Sequence, residues 1–212
     1  MIEFYCLIPS VVDTMPIIPS REHRYAWYDL AVNDLKEQGQ AIKSYTARCP
    51  GIIDINQQGW IQRTYQDIWI KTEPGNRRVI IGRESIDQRA LPMGDHMHSY
   101  VNFHGSASMA QYRGGHDYAM DTIIKIQSPW KVRVPDGYSL LSMPIPYPDD
   151  QRFTAAHGTI RGENWLNVQL FWHATSGGEH YIPKGTPIQQ YILIKDQDVK
   201  HHIRAHTTMD QI

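Results

Sequence analysis

Two histidines separated by one residue stand in the run Asp95-His96-Met97-His98, and His104 and His116 follow them. On an extended strand, side chains at i and i+2 share a face, so His96 and His98 would present two imidazoles together. A third ring from His104 or His116 would complete a facial site for a divalent metal such as Zn, Fe or Mn, and with it a metal-dependent jelly-roll enzyme. The competing reading is a hydrated His-rich loop with no cofactor, since a chain with 11 His yields a His-x-His pair without any design.

Other residue types are less suited to chemistry. The sequence has no Gly-rich phosphate loop ending in Lys-Ser/Thr, no Gly-x-Ser-x-Gly elbow, no His-Glu-x-x-His and no His-x-Asp pair. The two cysteines, Cys6 and Cys49, are too few for a disulfide framework or a four-thiolate zinc site, and both are expected to be reduced, small core residues. Lys200-His201-His202-Ile203-Arg204-Ala205-His206 concentrates cations, but Asp196, Asp198 and Asp210 flank it, so it reads as a solvated tail or a subunit contact. Met143-Pro144-Ile145-Pro146-Tyr147-Pro148-Asp149-Asp150 lacks three N–H donors. It reads as an extended loop or edge that buries Ile145 and Tyr147 against a neighbouring subunit.

The elements that must position these residues are mostly strands. There are 25 Ile against 9 Leu, and 18 of the 22 aromatics are Tyr or Trp, a stock that suits a pleated sheet. Met1 to Pro19, punctuated by Pro9, Pro16 and Pro19, reads as an extended arm or edge strand. Residues 20–38 carry the best helical signal, with Ser20 as cap, an apolar stripe of Trp27, Leu30, Ala31 and Leu35, and Gly39 as terminator. Strands are expected at Ile52–Ile55, Trp60–Thr64, Asp67–Lys71, Val79–Gly82, Thr122–Gln127, Trp130–Val134, Tyr138–Met143, Trp165–His173 and Ile188–Lys195. The segment from Leu91 to Tyr118 has no clear period and reads as a long loop. The expectation is a single β-rich domain over 1–195 with a polar tail over 196–212.

Three stretches resemble known families. His96-x-His98 with the later Pro183-x-Gly185 turn is similar to the cupin jelly rolls, although Ser99 to Asn102 supply no acidic ligand and Ile188 stands where cupins have a second-motif His. From about Lys131 to Lys195 the order of motifs resembles the dUTPase-like trimers. The stretch Val132-Arg133-Val134-Pro135-Asp136-Gly137-Tyr138 looks like their strand-turn-strand, His157-Gly158-Thr159-Ile160-Arg161-Gly162 like their substrate hairpin, and Tyr181 to Tyr191 like the strand ending in Gly and Gln. That family activates water with an Asp in the hairpin, where Arg161 stands here, and binds phosphates with an Arg-Ser-Ser run, where Pro144 to Pro148 stand. The resemblance therefore implies a fold without nucleotide hydrolysis, an antiparallel distorted jelly roll or β-clip-like barrel with one N-terminal helix. It also implies assembly as a homo-oligomer, a trimer for instance, with a ligand pocket near Arg161 and Gln189. Ser139 to Pro144 and Asn167 to Leu170 also look like an uncharacterised β-rich family of marine bacteria and phages, which implies a cytoplasmic or virion-associated protein.

Charge narrows the partners. Twenty-one Lys+Arg balance 22 Asp+Glu, which removes the electrostatic reason to expect nucleic acid or an anionic membrane. No apolar run reaches the roughly 20 residues of a membrane span, and the first stretch lacks the basic start of a secretion signal. The expected function is that of a non-catalytic structural or binding protein. The alternatives are the His-cluster metalloenzyme and a nucleotide or small-molecule binder that performs no hydrolysis.

Overall fold

A computed structural model describes residues 1–39, 49–73, 78–80, 101–104, 119–173 and 178–196. The described chain is mainly β and every strand pairing is antiparallel. One sheet joins β1 (Glu3–Cys6), β8 (Trp130–Arg133) and β12 (Glu163–Trp165). A five-stranded sheet runs β11 (Gly158–Ile160), β9 (Tyr138–Met143), β15 (Pro187–Lys195), β3 (Trp60–Arg63) and β2 (Ile18–Pro19). A third sheet runs β10 (Phe153–Ala155), β13 (Val168–His173), β7 (Ala119–Ile126) and β6 (Val101–His104). The fourth is β14 (Gly178–Ile182), β4 (Ile68–Glu73) and β5 (Arg78–Ile80). These sheets do not close into the barrel expected from the sequence.

Strand period explains the main core. On β4, Ile68, Ile70 and Thr72 turn inward while Trp69 and Lys71 face out. Ile68 and Ile70 meet Ile124 and Ile126 of β7, Leu170 and Trp172 of β13, and Ile182 of β14 in one apolar cluster. Phe171 packs on the other face of β13, against Ile123 and Ala156, which is why that strand reads as apolar on both sides. A second cluster lies under β1, β8, β9 and β15, where Tyr191, Val132, Leu140 and Leu166 pack together.

Several segments depart from the sequence-based expectation. The N-terminal arm is extended only at β1 and β2, with a short helix α1 (Pro9–Thr14) between them. Ile52–Ile55, expected as a strand, lies in helix α3 (Pro50–Gln57). Pro50 at the first helical position presets the backbone angle, and a short apolar run does not distinguish strand from helix by itself. The expected helix over 20–38 is divided into a 3-10 turn (Ser20–Glu22) and α2 (Ala26–Glu37). Ser20 instead opens the 3-10 turn, its N–H bonded to the Gly59 carbonyl at 2.9 Å at the end of the β2–β3 pairing and its carbonyl accepting from the His23 N–H at 3.0 Å. The stripe on α2 is also only partly inward: Leu35 is buried, while Leu30 is 63% exposed.

The expected single strand Trp165–His173 is two strands in different sheets. At the jump, the Leu166 N–H donates to the Trp130 carbonyl at 3.0 Å, and the Asn167 Oδ1 accepts from the Ser128 N–H at 3.0 Å. Cys49 is exposed just ahead of α3 rather than in the core, while Cys6 is half-buried and free. Within the expected long loop, residues 101–104 form β6.

Candidate functional site

Three polar side chains with buried atoms that have no partner among the described residues, Ser20, Tyr25 and Asn56, come together where the 3-10 turn meets α2 and α3. Three unrelated tethers build this place. β2 pairs with β3 and hands the chain directly into the 3-10 turn, which the His23 N–H closes on the Ser20 carbonyl at 3.0 Å. The cap position of α2 is Tyr25, whose side chain caps nothing. The Asp149 carboxylate does so from the far end of the proline segment, accepting from Ala26 N–H at 3.0 Å and Trp27 N–H at 3.1 Å. α3 is held from the core side by Gln190, a fully buried residue of β15, whose amide donates to the Ile55 and Gln58 carbonyls, each at 2.7 Å.

A cleft of about 360 Å³ opens between these elements. The 3-10 turn and the residues after it contribute Ser20, Arg21, His23 and Arg24; α2 and its cap contribute Tyr25, Tyr28 and Asp29; α3 contributes Ile52, Ile53 and Asn56. Ser20 and Tyr25 are buried, yet among the described residues Ser20 Oγ and Tyr25 Oη have no hydrogen-bond partner, and neither does Asn56 Oδ1. Arg21 and Arg24 are exposed on the same rim, and neither is in an ion pair with a described residue.

The rings of His23 and Tyr25 meet edge to face at 4.6 Å. Burial lowers the His23 pKa, Asp149 opposes that shift and Arg63 adds to it. Burial, followed by the nearby Asp149 charge, pushes the Tyr25 phenol up to about 12. Arg63 is lowered by burial as well, and its Nε has no partner. A neutral imidazole, a protonated phenol and an unengaged serine hydroxyl can donate and accept hydrogen bonds. Among the described residues, no base is hydrogen-bonded to Ser20 Oγ.

His23 and Tyr25 also line a second cleft of about 540 Å³, walled by Ile145, Pro148, Pro183 and Pro187. Its acids are already engaged. Asp149 caps α2, and Asp150 accepts from Arg152 Nε at 2.9 Å and Nη2 at 2.6 Å. The expected burial of Ile145 against a neighbouring subunit is corrected here. Ile145 is buried inside its own chain, with Tyr25 and Ile61, whereas Tyr147 is 53% exposed and lies 6.0 Å from the Trp27 ring.

The sequence-derived site residues fall elsewhere. His96, His98 and His116 lie outside the described residues. His104 ends β6, half-buried and in register with Ile123 of β7. Among the described residues, no three His, Cys, Asp or Glu side chains come together as a metal would require. Arg161 and Gln189 are held at opposite ends of β9. Arg161 Nε donates to Ser139 Oγ at 2.8 Å and pairs with Asp196 at 3.4 Å. Gln189 is buried, and its amide donates to Ser142 Oγ at 2.5 Å and to the Ala156 carbonyl at 3.1 Å. Neither lines the two clefts described above. The cleft residues stand consecutively in Ser20-Arg21-Glu22-His23-Arg24-Tyr25, a polar run directly after a proline-ended strand. That run was the available signal, hidden by its assignment to a helix.

The chain matches no protein-family model and no curated protein. No helix among the described residues is long and apolar enough to cross a membrane.

Proposed function

We propose that the protein is a non-catalytic binding protein that takes a small anionic molecule into the cleft between the 3-10 turn, α2 and α3. The supporting observation is that the Ser20 and Tyr25 hydroxyls, both able to donate to an anion, are buried with no partner among the described residues, in a cleft whose rim carries two guanidiniums that form no ion pair with a described residue. Each buried polar atom left unpaired costs the fold about 1–3 kcal/mol, and a ligand that bonds them recovers that free energy. The guanidiniums supply paired donors suited to phosphate or carboxylate, and the neutral His23 and Tyr25 add donors without repelling a negative charge.

The test is calorimetric titration and thermal unfolding with methyl phosphate, acetate and their neutral esters. An anion at 100 times its Kd should raise stability by about 2.7 kcal/mol, and the neutral esters should not. Arg21→Ala/Arg24→Ala should abolish the shift while leaving the unliganded protein folded, because both side chains are exposed and unpaired. Absence of any shift with either anion at ~10 mM would overturn the proposal.

A further inference from the structure

We infer that the ligand is amphipathic, an anionic head joined to an apolar body, with the head in the first cleft and the body passing over the His23 ring into the second. This rests on the anion reading above and specifies the rest of the molecule. The two clefts share the His23–Tyr25 wall. The second cleft in turn shares Ile145, Pro148 and Pro187 with a narrow crevice of about 90 Å³, whose other walls include Phe153, Ala155 and Ile188. Each space therefore shares walls with the next, and the apolar share of the lining grows along the series: the second cleft sets Ile145 and three prolines beside Asp149, Asp150, Gln151, Arg152 and Thr186, and the crevice is walled by proline, aliphatic and aromatic carbon with Thr154.

What the second cleft withholds argues against a ligand that is polar throughout. Pro148, Pro183 and Pro187 have no N–H to donate. The Thr186 hydroxyl proton goes to the Pro183 carbonyl at 2.7 Å, and Asp149 and Asp150 present carboxylates, acceptors only, already bonded to α2 and to Arg152. A second anionic group there would face the Asp149 and Asp150 carboxylates, whereas an aryl or alkyl group would pack on Ile145 and the proline rings and lose only unfavourable hydration. The volumes, about 540 Å³ and 90 Å³, fit a ring on a short methylene chain.

The experiment compares head-only probes with head-plus-body probes by calorimetry on the full chain: methyl phosphate against 4-phenylbutyl phosphate, and acetate against 5-phenylpentanoate. The phenyl-bearing member of at least one pair should bind about tenfold or more tightly than its head-only partner. The pair that responds tells phosphate from carboxylate. Pro183→Trp, which fills the second cleft from an exposed position, should remove that gain and leave the methyl phosphate or acetate affinity unchanged. Gln151→Trp, also exposed on the same cleft, provides an independent block if Pro183→Trp does not fold. A phenyl probe that binds no tighter than its head-only partner, while the latter still binds, overturns this inference alone. So does a gain that survives whichever block folds. If neither head-only nor phenyl probes bind, the anion reading falls and this inference falls with it.

Discussion

His23 couples the site to pH. Burial lowers its pKa below the ordinary value near 6.5, Asp149 pulls it back up and Arg63 pushes it further down. The folded protein therefore binds fewer protons than the unfolded chain in the window from 6.5 down to the folded value. The stability contributed by a neutral His23 is complete above that window and is lost as pH falls through it. Thermal unfolding between about pH 7.5 and about 5.5 should show a decline in Tm on acidification that is shallower in His23→Gln; equal slopes would refute the assignment. Tyr191 is the contrasting residue. It is buried in the second apolar cluster, burial raises its pKa far above the usual phenol range, and its hydroxyl donates to Gln62 Oε1 at 2.7 Å. Tyr191→Phe keeps the ring but strands the Gln62 oxygen, so it should cost about 1–3 kcal/mol in urea unfolding with an unchanged m-value. A cost below about 0.5 kcal/mol would mean that Gln62 finds another donor.

At the scale of elements, the close approach of Gly59 to β15 fixes where α3 ends and β3 begins. Gly59 has φ 72°, and a Cβ placed there would lie 1.8 Å from the Tyr191 carbonyl oxygen. Because the obstruction is backbone in the middle of a sheet, Gly59→Ala should cost about 3 kcal/mol or more, or leave no folded protein, as circular dichroism and urea unfolding would show. Tolerance of alanine would mean that β3 and β15 separate readily. Gln190 holds α3 from the other side, and Gln190→Met should cost about 1–3 kcal/mol by orphaning the Ile55 and Gln58 carbonyls. It should also weaken anion binding, since Asn56 is carried on the turn that Gln190 anchors; unchanged affinity would show that α3 is positioned by other contacts. Strands such as β3, β4, β9 and β15 were legible in the sequence, because each is a short run rich in apolar or aromatic residues between turn signals and most of them carry Ile or Trp, which suit a pleated sheet. α3 was not, since four residues of Ile-Ile-Asp-Ile carry no period long enough to choose, and Pro50 before Gly51 suits a turn as well as the first position of a helix. The strands β10, β11 and β14 are too short or too polar to announce themselves; each is a strand because a neighbour offers it a ladder. The candidate cleft was illegible for a related reason. Several of its residues are adjacent in sequence, but Ile52, Ile53 and Asn56, which complete it, arrive from α3, and the Asp149 cap that seats α2 beside it comes from farther along the chain.

For the whole molecule, the N-terminal region is joined to the sheets by ties that span much of the sequence. β1 pairs with β8, β2 with β3, and the Asp149 cap reaches α2 across 122 and 123 residues. Asp149 is the most informative of these because it takes part in three arrangements at once: it fixes the first turn of α2, walls the second cleft, and raises the pKa of His23. It is exposed, so its two bonds to the helix N-terminus are partly screened, and Asp149→Ala should cost only about 0.5–2 kcal/mol. Asp149→Asn, which keeps one good acceptor, should fall between that value and the parent. The effect on binding should be larger than the effect on stability suggests. Tyr25 and His23 both take their positions from the residues Asp149 holds, so the wall between the clefts loses its anchor although no lining group of the first cleft has been removed. The pH response should change in a defined direction as well. Without the carboxylate, the His23 pKa falls further, and the window over which stability declines on acidification should extend to lower pH than in the parent protein. If Asp149→Ala instead leaves both the affinity for methyl phosphate and the lower end of that window unchanged, then α2 is seated by its apolar contacts alone and the proline segment does not govern the site.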